Sequence, residues 1–293
     1  MPAIDIGVRL ECLEHGSGEP LVFVHGSASD HRTWGAQLDA FGARWRTIAY
    51  SRRHHWPNAP IADGAAYAME EHCADLAALL RTLDAAPAHL VGHSYGAYLC
   101  LLLAIREPAF VRTLVLEEPP VLPLFVSVPP RPTELFKLLG RRPRTALAIM
   151  KFGARGLAPA AKAIERGDTE GAIRLFGCAV LGKDAFDRLT PERREQVRAN
   201  FFEAELRDPG FAPLAAAGLR GVRAPTLLVT GEHSPRLFHR LTDRLHELLP
   251  HARRVVIPGA SHIAHEDNTA AFDAAVRAHL REAAGRGPQW TSR

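Results

Sequence analysis

The residues whose types and spacing carry the clearest chemistry are Leu90-Val91-Gly92-His93-Ser94-Tyr95-Gly96-Ala97, a short apolar run that closes on Gly-x-Ser-x-Gly and opens into a helical pattern. A serine presented on a sharp strand-to-helix turn sits in a strained backbone, and small residues two before and two after it let neighbouring chain pass close by. Gly92 and Gly96 are those residues. The turn also sets Ser94 at a helix N-terminus, where free N–H groups and the positive end of the dipole can meet an oxyanion. The spacing therefore predicts that Ser94 is a nucleophile. A second loop, His25-Gly26-Ser27-Ala28-Ser29-Asp30, follows an apolar strand directly. Its small residues allow close backbone approach, which would let the Ser27 N–H point into a site above the strand end.

The elements that must hold these loops are legible in order. Two short strands are expected within residues 4–13. Further strands are expected at Leu21–Val24, Arg46–Tyr50, 87–91, Val111–Leu116, 224–230 and Arg253–Ile257. Helical spacing of apolar residues follows at Met69–Asp84, Tyr95–Arg106, Arg236–Leu249 and Thr269–Ala283, and Gly285–Arg293 is expected to fray. Alternating strands and helices imply an α/β fold with a mostly parallel sheet. From Pro119 the character changes. After a proline-rich exit, helical periodicity runs through 136–139, 146–152, 160–164, 172–181 and 192–206 with no clear strand. The expected organisation is a core of residues 1–118 and 217–293 with a helical cap at 119–216.

Composition excludes several classes of function. The net charge of +4 comes from balanced acids and bases spread along the chain, so no nucleic-acid partner is expected. No run is long enough to cross a bilayer, and the amino terminus lacks the pattern of a secretory signal. Cys12, Cys73, Cys100 and Cys178 are far apart, without metal-binding spacing, and suit free thiols in a reducing, cytoplasmic compartment. His262-Ile263-Ala264-His265-Glu266-Asp267 has neither helical ligand spacing nor cysteine support, so no metal is expected there. The oligomeric state does not follow from the sequence.

The Ser94 turn, the His25-Gly26-Ser27 loop and His262 after the last strand resemble the α/β-hydrolase fold family, over nearly the whole chain. The resemblance implies that the N–H groups of Ser27 and Tyr95 form an oxyanion hole and that His262 is the general base. The chain departs from the family where an aspartate usually follows the strand ending in Val229-Thr230-Gly231-Glu232-His233-Ser234. Here the matching position is Ser234, whose neutral hydroxyl cannot stabilise an imidazolium as a carboxylate would. Members resembling haloalkane dehalogenases carry the acid instead at the end of the strand after the nucleophile helix, which here ends in Glu117-Glu118. Adjacent strand residues point to opposite faces, and Glu118 is the favoured acid, with Glu117, Glu232 and a serine–histidine dyad as alternatives.

A serine rather than an aspartate nucleophile implies hydrolysis of a carboxylic ester or lactone through an acyl-enzyme, with no cofactor. The alternatives are a cofactor-free carbon–carbon bond hydrolase and a non-catalytic ligand-binding protein, the latter favoured only by Ser234. Apolar cap helices suggest a small-molecule substrate with a hydrophobic part. His25, Trp34, His54 and His55 are candidates for the pocket wall. Trp34 also fits a core aromatic, His54 and His55 also fit a surface loop, and His93 reads as a packing residue.

Overall fold

Period-two alternation along the strands sorts the interior into two layers. In the computed structural model, which describes residues 3–62, 65, 67–201, 203–207 and 210–285, eight strands form one sheet in the order β1-β2-β4-β3-β5-β6-β7-β8. They are β1 (Ala3–Asp5), β2 (Arg9–His15), β3 (Pro20–Val24), β4 (Arg46–Tyr50), β5 (Ala88–His93), β6 (Val111–Glu117), β7 (Thr226–Gly231) and β8 (Arg253–Ile257). The β1–β2 and β2–β4 pairs are antiparallel and the others parallel. Val22, Val24, Ile48, Tyr50, Leu90, Leu114, Leu116 and Leu228 point to one face. Leu21, Phe23, Ala49, Val91, Val115, Leu227 and Val229 point to the other. Each such Val, Leu, Ile or Phe side chain, fully buried, contributes about 1.5–3 kcal/mol.

On the first face lie α2 (Met69–Thr82) and α3 (Tyr95–Arg106), and on the second α1 (Gly35–Gly42) and, near the carboxyl end, α14 (Thr269–Gly285). The nearly uninterrupted apolar sequence of α3 follows from its burial over most of its circumference. The expected fraying of the tail falls on 286–293, outside the described residues.

Between β6 and β7 the chain inserts α4 (Pro132–Arg141), α5 (Pro143–Phe152), α6 (Ala158–Glu165), α7 (Thr169–Leu181), α8 (Lys183–Asp187), α9 (Pro191–Ala199), α10 (Glu203–Arg207) and α11 (Ala216–Gly221). A π-turn, Gly153–Leu157, joins α5 to α6. Leu138, Ala146 and Ile149 continue the main core. Ala160, Ala163 and Ala172, with Phe176, Phe201 and Leu206, form a small core of their own. The single helix expected over 192–206 is two helices, because Asn200 ends α9 and turns its amide to the core: Nδ2 donates to Asp30 Oδ2 at 2.7 Å and Oδ1 accepts the Trp56 N–H at 2.8 Å. After β7, α12 (Arg236–Leu248) packs Phe238 edge-on against Phe152 of α5. After β8, the short α13 (Ala264–Asp267) precedes α14.

Register fixes where the loops converge. Val24 pairs with Gly92, His93 with Glu117, Glu117 with Val229, and Gly231 with Ile257. The carboxyl ends of β3, β5, β6, β7 and β8 therefore come together, the position at which open α/β sheets form their sites.

Candidate active site

Ser94 has φ 49° and ψ −117°, a conformation that costs an L-residue about 1–3 kcal/mol. The surroundings hold it there: its N–H donates to Glu117 O at 2.8 Å and its carbonyl accepts the first turn of α3 from Tyr98 N at 3.1 Å. A methyl on Gly92 would meet Ala97 Cα at 2.6 Å, and one on Gly96 would meet Val24 O at 2.2 Å and His25 O at 2.5 Å. Glycine is thus required on both sides of the turn. A methyl on Gly26 would lie 3.1 Å from Ser94 Cβ, so the His25-Gly26-Ser27 loop runs directly against the serine.

At the end of β6 the chain turns at Glu118, whose φ is +48°, and its carboxylate enters the same region. Glu118 Oε2 lies 2.5 Å from His262 Nδ1, while Oε1 accepts the Gly231 N–H at 2.8 Å and the Ser234 hydroxyl at 2.5 Å. Ser234 is thus a donor to the acid at the neighbouring strand end. Burial pushes the Glu118 carboxyl up, against the pull of the Ser234 and Gly231 donors. Burial also disfavours the His262 imidazolium and lowers its pKa to about 3. For this hydrogen-bonded pair the direction that matters is the imidazole's, since an uncharged ring is the form that can accept a proton. The His262 ring rests on Phe238, with centroids 3.9 Å apart, and its carbonyl accepts from His93 Nε2 at 2.9 Å. Among the described residues His262 Nε2 is buried without a hydrogen-bond partner, and no hydrogen bond joins it to Ser94 in this arrangement. Such contacts often tighten only when substrate is bound.

The other glutamate has a separate partner. Glu117 shares the face of Val115, and its carboxylate accepts the backbone N–H of His265 at 3.1 Å and its Nδ1 at 2.8 Å. His265 Nε2 lies 3.0 Å from Thr33 Oγ1, and the Thr33 hydroxyl donates to Glu266. Both ring nitrogens therefore donate. Against burial, which would lower it, Glu117 and Glu266 raise the His265 pKa to about 9. Glu232 is also away from His262, its carboxylate accepting the Gly259 N–H at 2.8 Å.

Of the candidate pocket residues, Trp34 takes the core place that the sequence also allowed. It is fully buried in the second core layer, stacked on His265 at 4.2 Å and against Phe23 at 5.2 Å, because the 3-10 turn His31–Trp34 points it under the sheet. His54 is half-buried, and burial lowers its pKa against a hydrogen bond with the Ala59 backbone. His55 is buried, its Nδ1 donating to Ser29 O at 2.7 Å and its ring 4.7 Å from His25. His25 Nδ1 donates to Gly26 O at 2.8 Å and Nε2 accepts the Arg52 N–H at 2.9 Å, so it braces the loop.

Sequence reasoning missed a polar group on that brace. Arg52 is fully buried over the Tyr95 ring, 4.5 Å from its centroid, and bonded to Tyr67 and to Glu205 of α10. Its signal was an arginine two residues past the end of a buried strand. The signal for the second Glu–His pair was two acids before Pro119 matched by two histidines after β8.

Residues 21–275 match the family model described as the alpha/beta hydrolase family. The chain belongs to that family. Among relatives of this hydrolase is the 2-(acetamidomethylene)succinate hydrolase of Mesorhizobium japonicum, 28% identical over 280 residues that cover 90% of this chain and 88% of the relative. Another is the bifunctional epoxide hydrolase 2 of Sus scrofa, 24% identical over 87% of this chain, of which the chain spans half the length. A thermophilic esterase from Thermogutta terrifontis has the same fold, with a TM-score of 0.68 at 21% identity and 94% of each chain covered.

In this hydrolase the insert sits on the loops that carry the site. Gln196 and Asn200 bond to the buried Asp30, Arg193 pairs with Glu266, and Phe211 stacks on Tyr95 and Tyr98. Ser94 is only 8% exposed beneath it. A hollow of ≈ 250 Å³ lined by Ile173, Phe186 and Val197 lies within the insert and does not touch Ser94. Among the described residues no helix is long and apolar enough to cross a membrane.

Proposed function

We propose that this hydrolase cleaves a carboxylic ester or lactone through a seryl acyl-enzyme, with the insert acting as a cap. The observation that carries this reading is the contact between Glu118 and His262 Nδ1, which directs the imidazole so that Nε2 is its proton acceptor. Ser94 Oγ attacks the carbonyl carbon as its proton passes to His262 Nε2. Glu118 stabilises the imidazolium, and the N–H groups of Ser27 and Tyr95 receive the oxyanion. Collapse expels the alkoxide, which takes the proton from His262, and water repeats the sequence to release the acid. A serine at the elbow favours acyl transfer over epoxide opening, for which the aspartate-bearing members of the family form an ester on their carboxylate.

The test is the intact mass of the protein after exposure to a fluorophosphonate, beside Ser94→Ala. One adduct on the parent and none on the variant is expected, and esters and lactones should then be turned over faster than dienoic ketones. The opposite preference would make the enzyme a carbon–carbon bond hydrolase. An unlabelled, folded parent would move the protein to ligand binding. Because only the uncharged His262 ring can take the Ser94 proton, kcat/KM should fall as the pH drops through its titration. A rate flat across the histidine range would contradict the role given to His262.

A further inference from the structure

Arg52 is a cation sealed from solvent beside the two residues expected to carry the oxyanion hole, and nothing in the proposed reaction uses it. Its backbone and side chain both grip the same loop. The Arg52 N–H donates to His25 Nε2 at 2.9 Å, and Nη2 donates to Gly26 O at 3.1 Å. That carbonyl also accepts from His25 Nδ1 at 2.8 Å. In a trans peptide the carbonyl and the following N–H point in opposite directions. A Gly26 carbonyl fixed on one side by two donors therefore turns the Ser27 N–H to the other. Burial keeps His25 neutral, with Arg52 adding to the effect, and a neutral ring can give one nitrogen to Gly26 while the other accepts from Arg52.

The arginine is held in turn. Nη1 donates to the Tyr67 hydroxyl at 2.7 Å, the guanidinium lies over the Tyr95 ring, and Nη2 reaches Glu205 Oε1 at 3.2 Å. Glu205 Oε1 also accepts from the Tyr67 hydroxyl at 2.7 Å. Glu205 belongs to α10 of the insert, whose Leu206 packs with the insert's own small core and whose Ala204 packs against the main one. Among the described residues, the anionic partner of this buried cation is thus supplied by the insert.

We propose that Arg52 is a positioning residue for the oxyanion hole: with His25 it fixes the Gly26–Ser27 peptide, and Glu205 makes that arrangement depend on a docked insert. The proposal rests on the acyl-enzyme reading, because it presumes that the Ser27 N–H meets a tetrahedral oxyanion. Removing one hole donor typically costs 10²–10³ in kcat, and a misaimed donor should cost about 10- to 100-fold.

The experiment compares the parent, Arg52→Ala, Arg52→Lys and Glu205→Gln by the rate of fluorophosphonate labelling, by kcat and KM on p-nitrophenyl butyrate, and by inhibition with butylboronic acid, whose serine adduct is tetrahedral. Arg52→Ala should label and turn over about 10- to 100-fold more slowly at nearly unchanged KM, with boronate binding weakened by a similar factor. Millimolar guanidinium should restore part of its rate and leave the parent unaffected. Glu205→Gln, which keeps a hydrogen-bonding group but not the charge, should fall in the same direction by less. If Arg52→Ala does not fold, Arg52→Lys reads the same point, since an ammonium cannot span Tyr67, Gly26 and Glu205 as the fork does, and it should lose about tenfold. Labelling at the parent's rate in a folded Arg52 variant overturns the proposal. So does a loss that appears in KM alone, which would make Arg52 a substrate-binding group. A parent that is not labelled at all fails the serine-hydrolase reading itself, an outcome distinct from either of these.

Discussion

At the scale of single residues, the two adjacent glutamates illustrate how neighbouring positions acquire different work. Glu118 touches His262 and Glu117 touches His265. Glu118→Gln should reduce kcat about 10³- to 10⁴-fold, since an amide cannot stabilise the imidazolium and permits the wrong tautomer. Glu117→Gln should leave kcat within about tenfold while lowering stability, because it leaves His265 short of a buried counter-charge. Steady-state kinetics beside urea unfolding separates the two, and equal kinetic losses would undo the assignment. The His265 pKa also has a consequence for stability. It is raised in the folded chain to about 9, so its stabilisation is fully present below the unfolded value near 6.5 and is lost as pH rises through about 9. The stability gap between the parent and His265→Gln should therefore shrink from pH 6 to pH 10. A constant gap would mean that His265 is held by packing on Trp34 rather than by charge. The motif glycines and Ser94 were legible because close approach and strain restrict the residue type. The distant partners of His265 were not, because Glu117 and Thr33 come from β6 and the 3-10 turn, which only the fold brings to α13.

At the scale of elements, the turn between β5 and α3 decides the geometry of the site. Gly96 faces the backbone carbonyls of Val24 and His25. Gly96→Ala should cost about 1–3 kcal/mol by overpacking and should also move the loop that carries Ser27. Chemical denaturation together with labelling of Ser94 would measure both losses, and an unchanged midpoint would show that β3 yields easily. The strands and core helices were readable from period: β4, β8 and α3 span the residues expected, and α2 and α12 end within two residues of expectation. Hydrophobic alternation and buried apolar runs determine such elements locally. The break at Asn200 was not readable, since the helical pattern continues through it and the interruption serves hydrogen bonds to Asp30 and Trp56. Likewise, the aromatic at position 34 matched two destinations, and the direction of a single 3-10 turn selected the core.

At the scale of the whole molecule, the α9–α10 end of the insert meets the core through polar contacts: Asp30 with Gln196 and Asn200, Glu266 with Arg193, and Arg52 with Glu205. Apolar packing of α4 and α5 on the main core anchors the same insert at its other end. Asn200→Ala should therefore loosen the α9 end, at a cost of about 1–3 kcal/mol for the groups left unpaired. Limited proteolysis should then cut between α9 and α10 faster than in the parent, with the core fragment remaining folded. Unaltered cleavage would mean that apolar packing alone seats the insert. The sequence by itself determined the α/β sheet, the helical insertion, the serine turn and the histidine loop, because period, glycine spacing and strand ends are properties of short stretches. The tertiary structure decided which carboxylate faces His262, since that depends on the positive φ at Glu118 and on a β7 loop that supplies donors from Gly231 and Ser234. It also decided that Arg52, one of two adjacent arginines in a loop, meets its counter-charge across the boundary of the insert, because charges distant in sequence pair only where folding brings them together.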